Sequence, residues 1–485
     1  MFIFIKRYIK NPRIDLLFFI PIFALFAQAV IASLFNLRSP FWLDDVIAGA
    51  FACQPTYIDT LNMAAGDVHP PLFYLWVHTI FDLFGCNLNF VRISNAIVLI
   101  GSGGIYCFLL RQRFGVLAAL TFATLFFGSS FVWHYAYEAK SYAFLVSTAV
   151  FLLYAVLNNK WNMGLVATAI GASLHYYGAY LFIVQVLMFF LLYGRITASQ
   201  LIKMVIALVL VSLQYAYSLP LTATSIASSD SLYPLISWLA MLLLPAFLLG
   251  GLYQYVLVMP VFFALPKTVK FLNQFEKNLI AGCLLLPAIF VIAVFLISLH
   301  KLMFVPRHFL FLTPLVFTGI SVLLPKIADN YSSSKYSPYQ LMQILVIYIT
   351  IYICFGVVTT LQKGNNYRLV MNWNDAAKTS ICSQKTCGFV IADFSGGSFV
   401  DSITSNQYNA FANFLLRANG KKKISWVAIK PKYLENWIAN NRDIPFVYVN
   451  NKVPINILNL DKLINTYSLS CTTVPTEPSV SVCQR

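Results

Sequence analysis

Acids, imidazoles and cations gather in five short motifs that lie between long apolar runs. The first motif, Phe41-Trp42-Leu43-Asp44-Asp45, is followed by apolar residues with helical spacing. Asp44 could act as a general base that takes a proton from a hydroxyl, or it could cap the helix and meet its dipole. The spacing leaves both interpretations open. Asp45 is an additional candidate for the same site.

The second and third motifs combine charged residues with helix-starting residues. In residues 67–74, His69 could donate to a phosphate, although the two prolines that follow it also serve simply to start a helix. In residues 135–142, Glu138 and Lys140 stand at the end of an apolar run. They could form part of a polar site, or they could simply extend towards the membrane surface.

The last two motifs add two histidines and an arginine. His175 lies in Leu174-His175-Tyr176-Tyr177-Gly178, and such an aromatic belt is ordinary at a membrane surface. Arg307 and His308 lie in Pro306-Arg307-His308-Phe309. A guanidinium can hold a phosphate through two parallel hydrogen bonds, and a neighbouring imidazole adds another donor.

The composition places these motifs in a membrane protein. The 485 residues are 59% hydrophobic and 10% charged, whereas soluble domains need about a quarter of their residues charged. Apolar stretches recur from Asp15 to about Leu361, and the first, Leu16 to Phe35, is predicted to be an uncleaved signal anchor. Of the net charge of +16, nine positive charges belong to residues 1–362, where the cations lie mostly in short loops, and seven belong to residues 363–485, a distribution that argues against nucleic-acid binding.

The positions of the cations predict the topology. Four cations before the first apolar run place the N-terminus in the cytoplasm. All later cationic loops are also cytoplasmic if residues 69–85 form a helix on the membrane surface. Residues 232–249 are ambiguous, so eleven to thirteen spans are expected, with the C-terminus outside. The other predicted spans are 15–35, 92–110, 115–133, 139–156, 161–175, 177–193, 201–219, 251–265, 279–299, 307–325 and 340–361.

The composition changes near residue 362, which predicts two domains, 1–362 in the membrane and 363–485 outside it. In the tail, strand-like runs 388–393, 424–429 and 445–449 and a helical run 407–417 predict a small α/β domain. The four tail cysteines favour disulfides, 382–387 and 471–483, over zinc, because the tail has no CxxC pair and no histidine. Five further cysteines are expected to be free and apolar, namely Cys53, Cys86, Cys107, Cys283 and Cys354.

The five motifs in this order resemble those of the GT-C type membrane glycosyltransferases. The similarity is greatest to bacterial protein mannosyltransferase-like and lipid A aminoarabinose transferase-like enzymes, and it covers roughly residues 10–365. It implies that Asp44 is the catalytic carboxylate and Glu138 the second acid, while His69 and Arg307 meet a lipid phosphate. Lys140, a further phosphate contact, stands where the family has arginine, and His308 and Phe309 replace a tyrosine and an aliphatic residue.

The resemblance implies an all-α polytopic GT-C domain with interfacial helices and a small α/β soluble domain. It implies an inverting glycosyltransferase of cell-envelope glycan synthesis in the inner membrane. A polyprenyl-phosphate-linked sugar would be the donor, and a glycolipid, glycan or protein hydroxyl the acceptor. The alternatives are a lipid or saccharide transporter or flippase, and a polymerase of lipid-linked saccharide. No nucleotide-binding loop occurs in the sequence, no cofactor is assigned, and a divalent metal ion is left open.

Overall fold

The computed structural model describes residues 43–227 except Gly66, Val68 and Tyr137, together with residues 268–298 and 306–332. It also describes shorter stretches: 26–27, 29–31, 34, 37, 386–391, 409–410, 414, 425–428, 434–441, 444–450, 465–474 and 479–484. The predicted span 15–35 lies mostly outside these residues. The spans 251–265 and 340–361 and the ambiguous segment 232–249 lie wholly outside them.

Three short helices follow the first predicted span. They are α1 (Leu43–Ala52), α2 (Tyr57–Ala64) and α3 (Leu72–Phe84). Helix α3 corresponds to the predicted surface helix 69–85. It begins directly after Pro71 and ends at Gly85, whose positive φ of 77° suits a glycine. Phe73, Tyr74 and Val77 of α3 are buried in one apolar cluster with residues of α1.

Nine helices of the described residues form the bundle. Within that part of the chain, five segments are long and apolar enough to cross a membrane: 88–114, 176–193, 198–217, 274–298 and 307–327. The protein is therefore a multi-pass membrane protein. In chain order the bundle helices are α4 (Leu88–Phe114), α5 (Val116–Phe127), α6 (Ser130–Ala136), α7 (Tyr142–Leu157), α8 (Trp161–Leu174), α9 (Tyr180–Tyr193), α10 (Ala198–Ala227), α11 (Gln274–Ser298) and α12 (Thr313–Ser332).

Eight of the predicted spans coincide with described helices, but one of them is broken. The predicted span 115–133 is divided into α5 and α6 around Gly128 and Ser129. The hydroxyl of Ser129 accepts a hydrogen bond from the Val132 N–H at 3.1 Å, which satisfies a backbone donor at the start of α6. Short 3₁₀ turns, Tyr176–Ala179 and Pro306–Leu312, precede α9 and α12.

Polar contacts join the helix ends that carry the cationic loops. Arg113 at the end of α4 donates to Asn158 after α7 at 3.3 Å. Lys203 of α10 donates to Asn162 of α8 at 3.3 Å. Lys326 of α12 lies 3.0 Å from Glu276 of α11. These loops therefore share one end of the bundle, while the residues of the five motifs meet at the other.

The described C-terminal residues form a five-stranded mixed sheet. Its strands are β1 (Thr386–Ile391), β2 (Ser425–Ala428), β3 (Phe446–Asn450), β4 (Ser470–Val474) and β5 (Ser479–Gln484), with a helix α13 (Leu434–Asn440) between β2 and β3. The order is β2-β1-β3-β5-β4, with β1 parallel to both neighbours and the remaining pairs antiparallel. The three predicted strands coincide with β1, β2 and β3. The proposed boundary at residue 362 lies outside the described residues.

An aromatic residue of the C-terminal part packs on the membrane part. The ring of Phe414 stacks on Phe81 of α3 at 6.3 Å between centroids. A Cβ added to Gly49 of α1 would lie 2.3 Å from the Phe414 ring, so the ring occupies the space that a larger residue at position 49 would fill. The C-terminal part thus contacts the two helices that flank the first two motifs.

The disulfides partly correct the sequence expectation. Cys471 and Cys483, on the paired strands β4 and β5, form a disulfide as predicted. Cys387 is disulfide-bonded, and its predicted partner lies outside the described residues. The expectation of free thiols is wrong for Cys53 and Cys86, which form a disulfide that ties the end of α1 to the loop after α3. Their spacing of 33 residues gave no sign of this pairing. The expectation holds for Cys107 and Cys283, which are buried and free, whereas Cys354 lies outside the described residues.

Candidate active site

All five motifs meet at the end of the bundle opposite the cationic loops. Each motif supplies side chains from a break between helices or from a first helical turn, where the backbone need not continue a helix. The residues brought together are Asp44, Asp45, His69, Glu138, Lys140, His175, Arg307 and His308. Most of them are buried, and Asp44, Arg307 and His308 are partly exposed.

Asp44 forms an ion pair with Arg307. Its Oδ2 lies 3.3 Å from Arg307 Nη1, and the two side chains are 19% and 30% exposed. Asp44 is the second residue of α1, so the dipole of that helix favours its negative charge. It does not occupy the N-cap position that the structural interpretation assigned to it. The carboxylate that could act as a base and the cation that could hold a phosphate are therefore in contact.

Asp45 points into the protein instead. Its side chain is fully buried, and Arg92 Nη2 of α4 donates to its Oδ2 at 2.5 Å. The N–H of Ala139 donates to the other oxygen of Asp45 at 2.5 Å. Asp45 thus ties α1 to α4 and to the segment between Glu138 and Lys140. This role is structural, and it accounts for Asp45 without a contact to substrate.

Asn95 of α4 fixes the third motif. Its amide donates to the carbonyl of Glu138 at 2.7 Å and to that of Lys140 at 3.2 Å. The side chain of Glu138 is 5% exposed, and its carboxylate lies within electrostatic range of Arg307. Glu138 is therefore placed on the same side of the site as the Asp44–Arg307 pair.

Asp67 is the centre of a buried hydrogen-bond network. Its Oδ2 accepts from the hydroxyl of Tyr74 and lies 3.2 Å from His69 Nδ1 and 3.5 Å from Lys140 Nζ. Lys140 Nζ also donates to the Tyr74 hydroxyl at 3.0 Å. The sequence alone gives no role to Asp67 or Tyr74. Their position in the second motif, residues 67–74, is the one feature that links them to the site.

The network sets the protonation of its members. Burial alone would raise the pKa of Asp67, but Lys140, together with the hydrogen bonds from His69 and Tyr74, lowers that pKa well below its usual range. Burial, reinforced by the Lys140 charge, lowers the pKa of His69. Burial and the Asp67 carboxylate raise the pKa of the Tyr74 hydroxyl. At neutral pH Asp67 is ionised and His69 is a neutral imidazole.

The orientation of His69 decides what this ring can do. Because Nδ1 faces an ionised carboxylate, Nδ1 carries the ring proton and Nε2 holds a lone pair. His69 Nε2 is buried and has no hydrogen-bond partner among the described residues. In this tautomer the buried Nε2 accepts a hydrogen bond or binds a metal ion. The motif by itself suggested instead that His69 donates a hydrogen bond to a phosphate.

The other two histidines lie beside His69. His175 ends α8 and its Nδ1 accepts from the Tyr177 N–H at 3.1 Å, which caps the 3₁₀ turn before α9. His308 lies in the turn before α12, with its ring centroid 4.9 Å from that of His175 and 5.3 Å from that of Tyr177. Three imidazoles from distant parts of the chain thus form one cluster.

The chain is similar in fold to membrane proteins of known structure, although its sequence is not. No family model matches the chain, and no curated protein sequence matches it. Among solved structures, ArnT from Cupriavidus metallidurans bound to undecaprenyl phosphate is 11% identical, with a TM-score of 0.59 over 98% of both chains. Its apo state gives a TM-score of 0.57 over 95% of this chain and 97% of the other. This chain shares the fold of ArnT.

A third structure, the Archaeoglobus fulgidus oligosaccharyltransferase in complex with zinc and sulfate, matches less well. It is 11% identical, with a TM-score of 0.45 over 87% of this chain and 68% of the other. The fold shared with ArnT confirms the fold class expected from the five motifs. The residues assigned to the site remain predictions, since likeness of fold does not identify them.

Proposed function

We propose that this protein transfers a sugar from a polyprenyl-phosphate carrier to an acceptor hydroxyl at the outer face of the inner membrane. The observation that carries the proposal is the Asp44–Arg307 pair at the end of a GT-C bundle. A carboxylate and a guanidinium in contact, with Lys140 and Glu138 nearby, supply both charges that such a transfer needs.

The proposed reaction is a direct displacement. Asp44 takes the proton of the acceptor hydroxyl while the hydroxyl oxygen attacks the anomeric carbon of the donor sugar. The bond between that carbon and the phosphate oxygen breaks, and the bonding electrons leave with the polyprenyl phosphate. Attack opposite the leaving group inverts the anomeric configuration. Arg307 stabilises the charge that develops on the departing phosphate, and Glu138 is the second acid of the site.

Donor binding would free the base. In the present structure Arg307 is paired with Asp44, so the base is neutralised by its neighbour. A phosphate can bind a guanidinium through two parallel hydrogen bonds, whereas Asp44 contacts Arg307 through a single pair of atoms, so the donor phosphate would draw Arg307 away from the carboxylate. Asp44 is thereby available to the acceptor only when the donor is bound.

The identity of the donor is inferred from the fold and from chemistry. The crystal structure of ArnT, which has the same fold, contains bound undecaprenyl phosphate. Two disulfides, Cys53–Cys86 beside the site and Cys471–Cys483 in the C-terminal sheet, indicate an oxidising compartment on the side of the site. Nucleotide sugars are cytoplasmic substrates, so a lipid-linked donor fits this side. We propose that the C-terminal domain lies on this side as well, and that the N-terminus, with its four cations before the first apolar run, is cytoplasmic.

The test is the release of free polyprenyl phosphate. The purified protein in nanodiscs is incubated with a lipid-linked sugar and an envelope extract as the source of acceptor, and the lipid products are separated by mass spectrometry. A transferase releases polyprenyl phosphate in proportion to the glycosylated product. A flippase or transporter leaves the donor intact, which would contradict the proposal. A polymerase also releases carrier lipid, but its product is a lengthening lipid-linked saccharide, and that outcome would overturn transfer to a separate acceptor.

A further inference from the structure

The three clustered histidines have the spacing of a metal site. Their ligand nitrogens all lie within 4.8 Å of one another. The ring centroids are 5.1 Å apart for His69 and His175, 4.9 Å for His175 and His308, and 6.4 Å for His69 and His308. Imidazoles that bind zinc tetrahedrally at about 2.0–2.1 Å have ring centres about 5 Å apart. Two of the three pairs already stand at this separation.

His69 is prepared as a ligand. Its Nδ1 is held by the Asp67 carboxylate at 3.2 Å, and Asp67 is in turn held by Tyr74 and Lys140. A carboxylate on the far nitrogen fixes the tautomer and makes the near nitrogen a stronger electron donor, as in carboxylate–histidine–zinc triads. His69 is 5% exposed, and its Nε2 makes no hydrogen bond within the described part of the chain. A buried lone pair of this kind needs a partner.

His175 offers the second buried nitrogen. It is 3% exposed, and its Nε2 also has no hydrogen-bond partner among the residues that the structure describes. In the metal-free state its Nδ1 accepts from the Tyr177 N–H, so Nε2 carries the ring proton. Ligation through Nε2 moves that proton to Nδ1 and replaces the Tyr177 hydrogen bond. His175 is therefore the ligand that must adjust when metal binds.

His308 completes the set and distinguishes this chain from the family motif, which has tyrosine at that position. Aromatic contacts with Tyr177 and Tyr142 hold its ring over the cluster. The surrounding charges also favour a cation. Among the described residues of the site, three carboxylates (Asp44, Asp67 and Glu138) accompany two cations (Lys140 and Arg307), so a dication leaves this set with one net positive charge. Such a site suits a phosphate anion.

We propose that His69, His175 and His308 bind one divalent cation of the imidazole-preferring class, with Zn²⁺ as its reference member. Three protein ligands leave a fourth coordination position open, as in catalytic rather than structural zinc sites. On the basis of the proposed function, this position would accept an oxygen of the donor phosphate, and the metal would share the charge of the leaving group with Arg307.

Metal binding is tested on the full chain without any sugar donor. The protein in nanodiscs is stripped with a chelator and titrated with Zn²⁺, and bound metal is measured by mass spectrometry. We expect one Zn²⁺ per chain, and at least about tenfold weaker binding in His308→Phe and in Asp67→Asn. His78→Gln is the matched control, because His78 is a buried histidine outside the cluster that hydrogen-bonds Ala52 and Thr60. It should bind Zn²⁺ like the parent.

A spectroscopic measurement on the unaltered protein covers the case in which a variant fails to fold. Co²⁺ substituted for Zn²⁺ should give the intense visible absorption of a four- or five-coordinate site with nitrogen ligands. No stoichiometric Zn²⁺ and no such Co²⁺ spectrum in the parent would overturn the metal site, as would unchanged affinity in a folded His308→Phe. Stoichiometric Zn²⁺ with equal carrier release from stripped and loaded protein would overturn the phosphate contact. If the parent protein binds Zn²⁺ but releases no polyprenyl phosphate in either the stripped or the loaded form, the result counts against the proposed function and leaves the metal site standing.

Discussion

At the scale of single residues, the two adjacent aspartates of α1 have different environments. Neighbouring residues on a helix point about 100° apart, so the two carboxylates cannot share one partner. Asp44 faces Arg307 and the partly exposed site, whereas Asp45 is fully buried against Arg92 and the Ala139 N–H. Replacing each aspartate by asparagine therefore tests the chemical role of Asp44 and the structural role of Asp45 separately.

Asp44→Asn should nearly abolish transfer while the protein stays folded. Asparagine matches aspartate in size but cannot take a proton, so the rate should fall on the order of 10²–10⁴-fold. Release of polyprenyl phosphate in nanodiscs measures the rate, and binding of lipid donor should remain. Arg307→Ala is the contrast, because loss of a phosphate contact should weaken donor binding as well as turnover. Parent-like turnover by Asp44→Asn would remove Asp44 from the mechanism.

Asp45→Asn should instead destabilise the protein. Replacing the carboxylate breaks the buried ion pair with Arg92, at a cost of roughly 3–5 kcal/mol. The apparent melting temperature in detergent measures this loss, and Asp44→Asn serves as the control with a small shift. Equal melting temperatures for the two variants would show that the Asp45–Arg92 pair does not support the site.

At the scale of elements, the turn between α8 and α9 positions the histidine cluster. The turn Tyr176–Ala179 begins at His175 and packs against α8. A Cβ on Gly178 would lie 2.1 Å from the carbonyl oxygen of Gly171, so only glycine lets the turn approach this closely. The glycine in the fourth motif is thus explained by packing, and through it by the placement of His175.

Gly178→Ala should displace this turn. The clash is with backbone atoms, which cannot rotate away as a side chain can. The free energy of unfolding should therefore fall by roughly 1–3 kcal/mol. His175 should move with the turn, and carrier release should fall as well. The control is Gly101→Ala in α4, where an added Cβ meets no atom within 4 Å. Thermal unfolding of both variants in detergent checks the expectation, which fails if their melting temperatures agree.

At the scale of the whole molecule, the charges and the chemistry occupy opposite ends of the bundle. The cationic loops are tied together through Arg113, Lys203 and Lys326, and the five motifs meet at the far end. The disulfide Cys53–Cys86 lies at the end with the motifs. An odd number of spans would bring the C-terminal sheet to that end too, where Phe414 packs on α1 and α3.

Cysteine labelling should confirm the orientation. A cysteine in place of Gln112 should be protected from a membrane-impermeant maleimide in intact cells, and one in place of Ala136 should be labelled. The positive-inside rule places the loop with Arg111 and Arg113 in the cytoplasm. The parent protein is the control for background, and the free cysteines among its described residues, Cys107 and Cys283, are buried. Labelling at position 112 from outside would invert the topology.

The sequence by itself determined the membrane character, eight of the spans within the described residues, the surface helix α3 and three strands of the tail. These features follow from local hydrophobic periodicity and from the charge of adjacent loops, which need no knowledge of distant contacts. The motif residues could also be named, because polar side chains between apolar runs are expensive to place in a membrane and therefore stand out.

Only the tertiary structure decided how these residues pair. That Asp44 meets Arg307, that Asp45 meets Arg92 and that Cys53 bonds Cys86 depends on helix packing, which brings together residues far apart in sequence. Hydrophobic periodicity shows which face of a helix is apolar but not which neighbour covers it. For the same reason Asp67 went unassigned and the histidine cluster unseen, since each takes its meaning from partners on other segments.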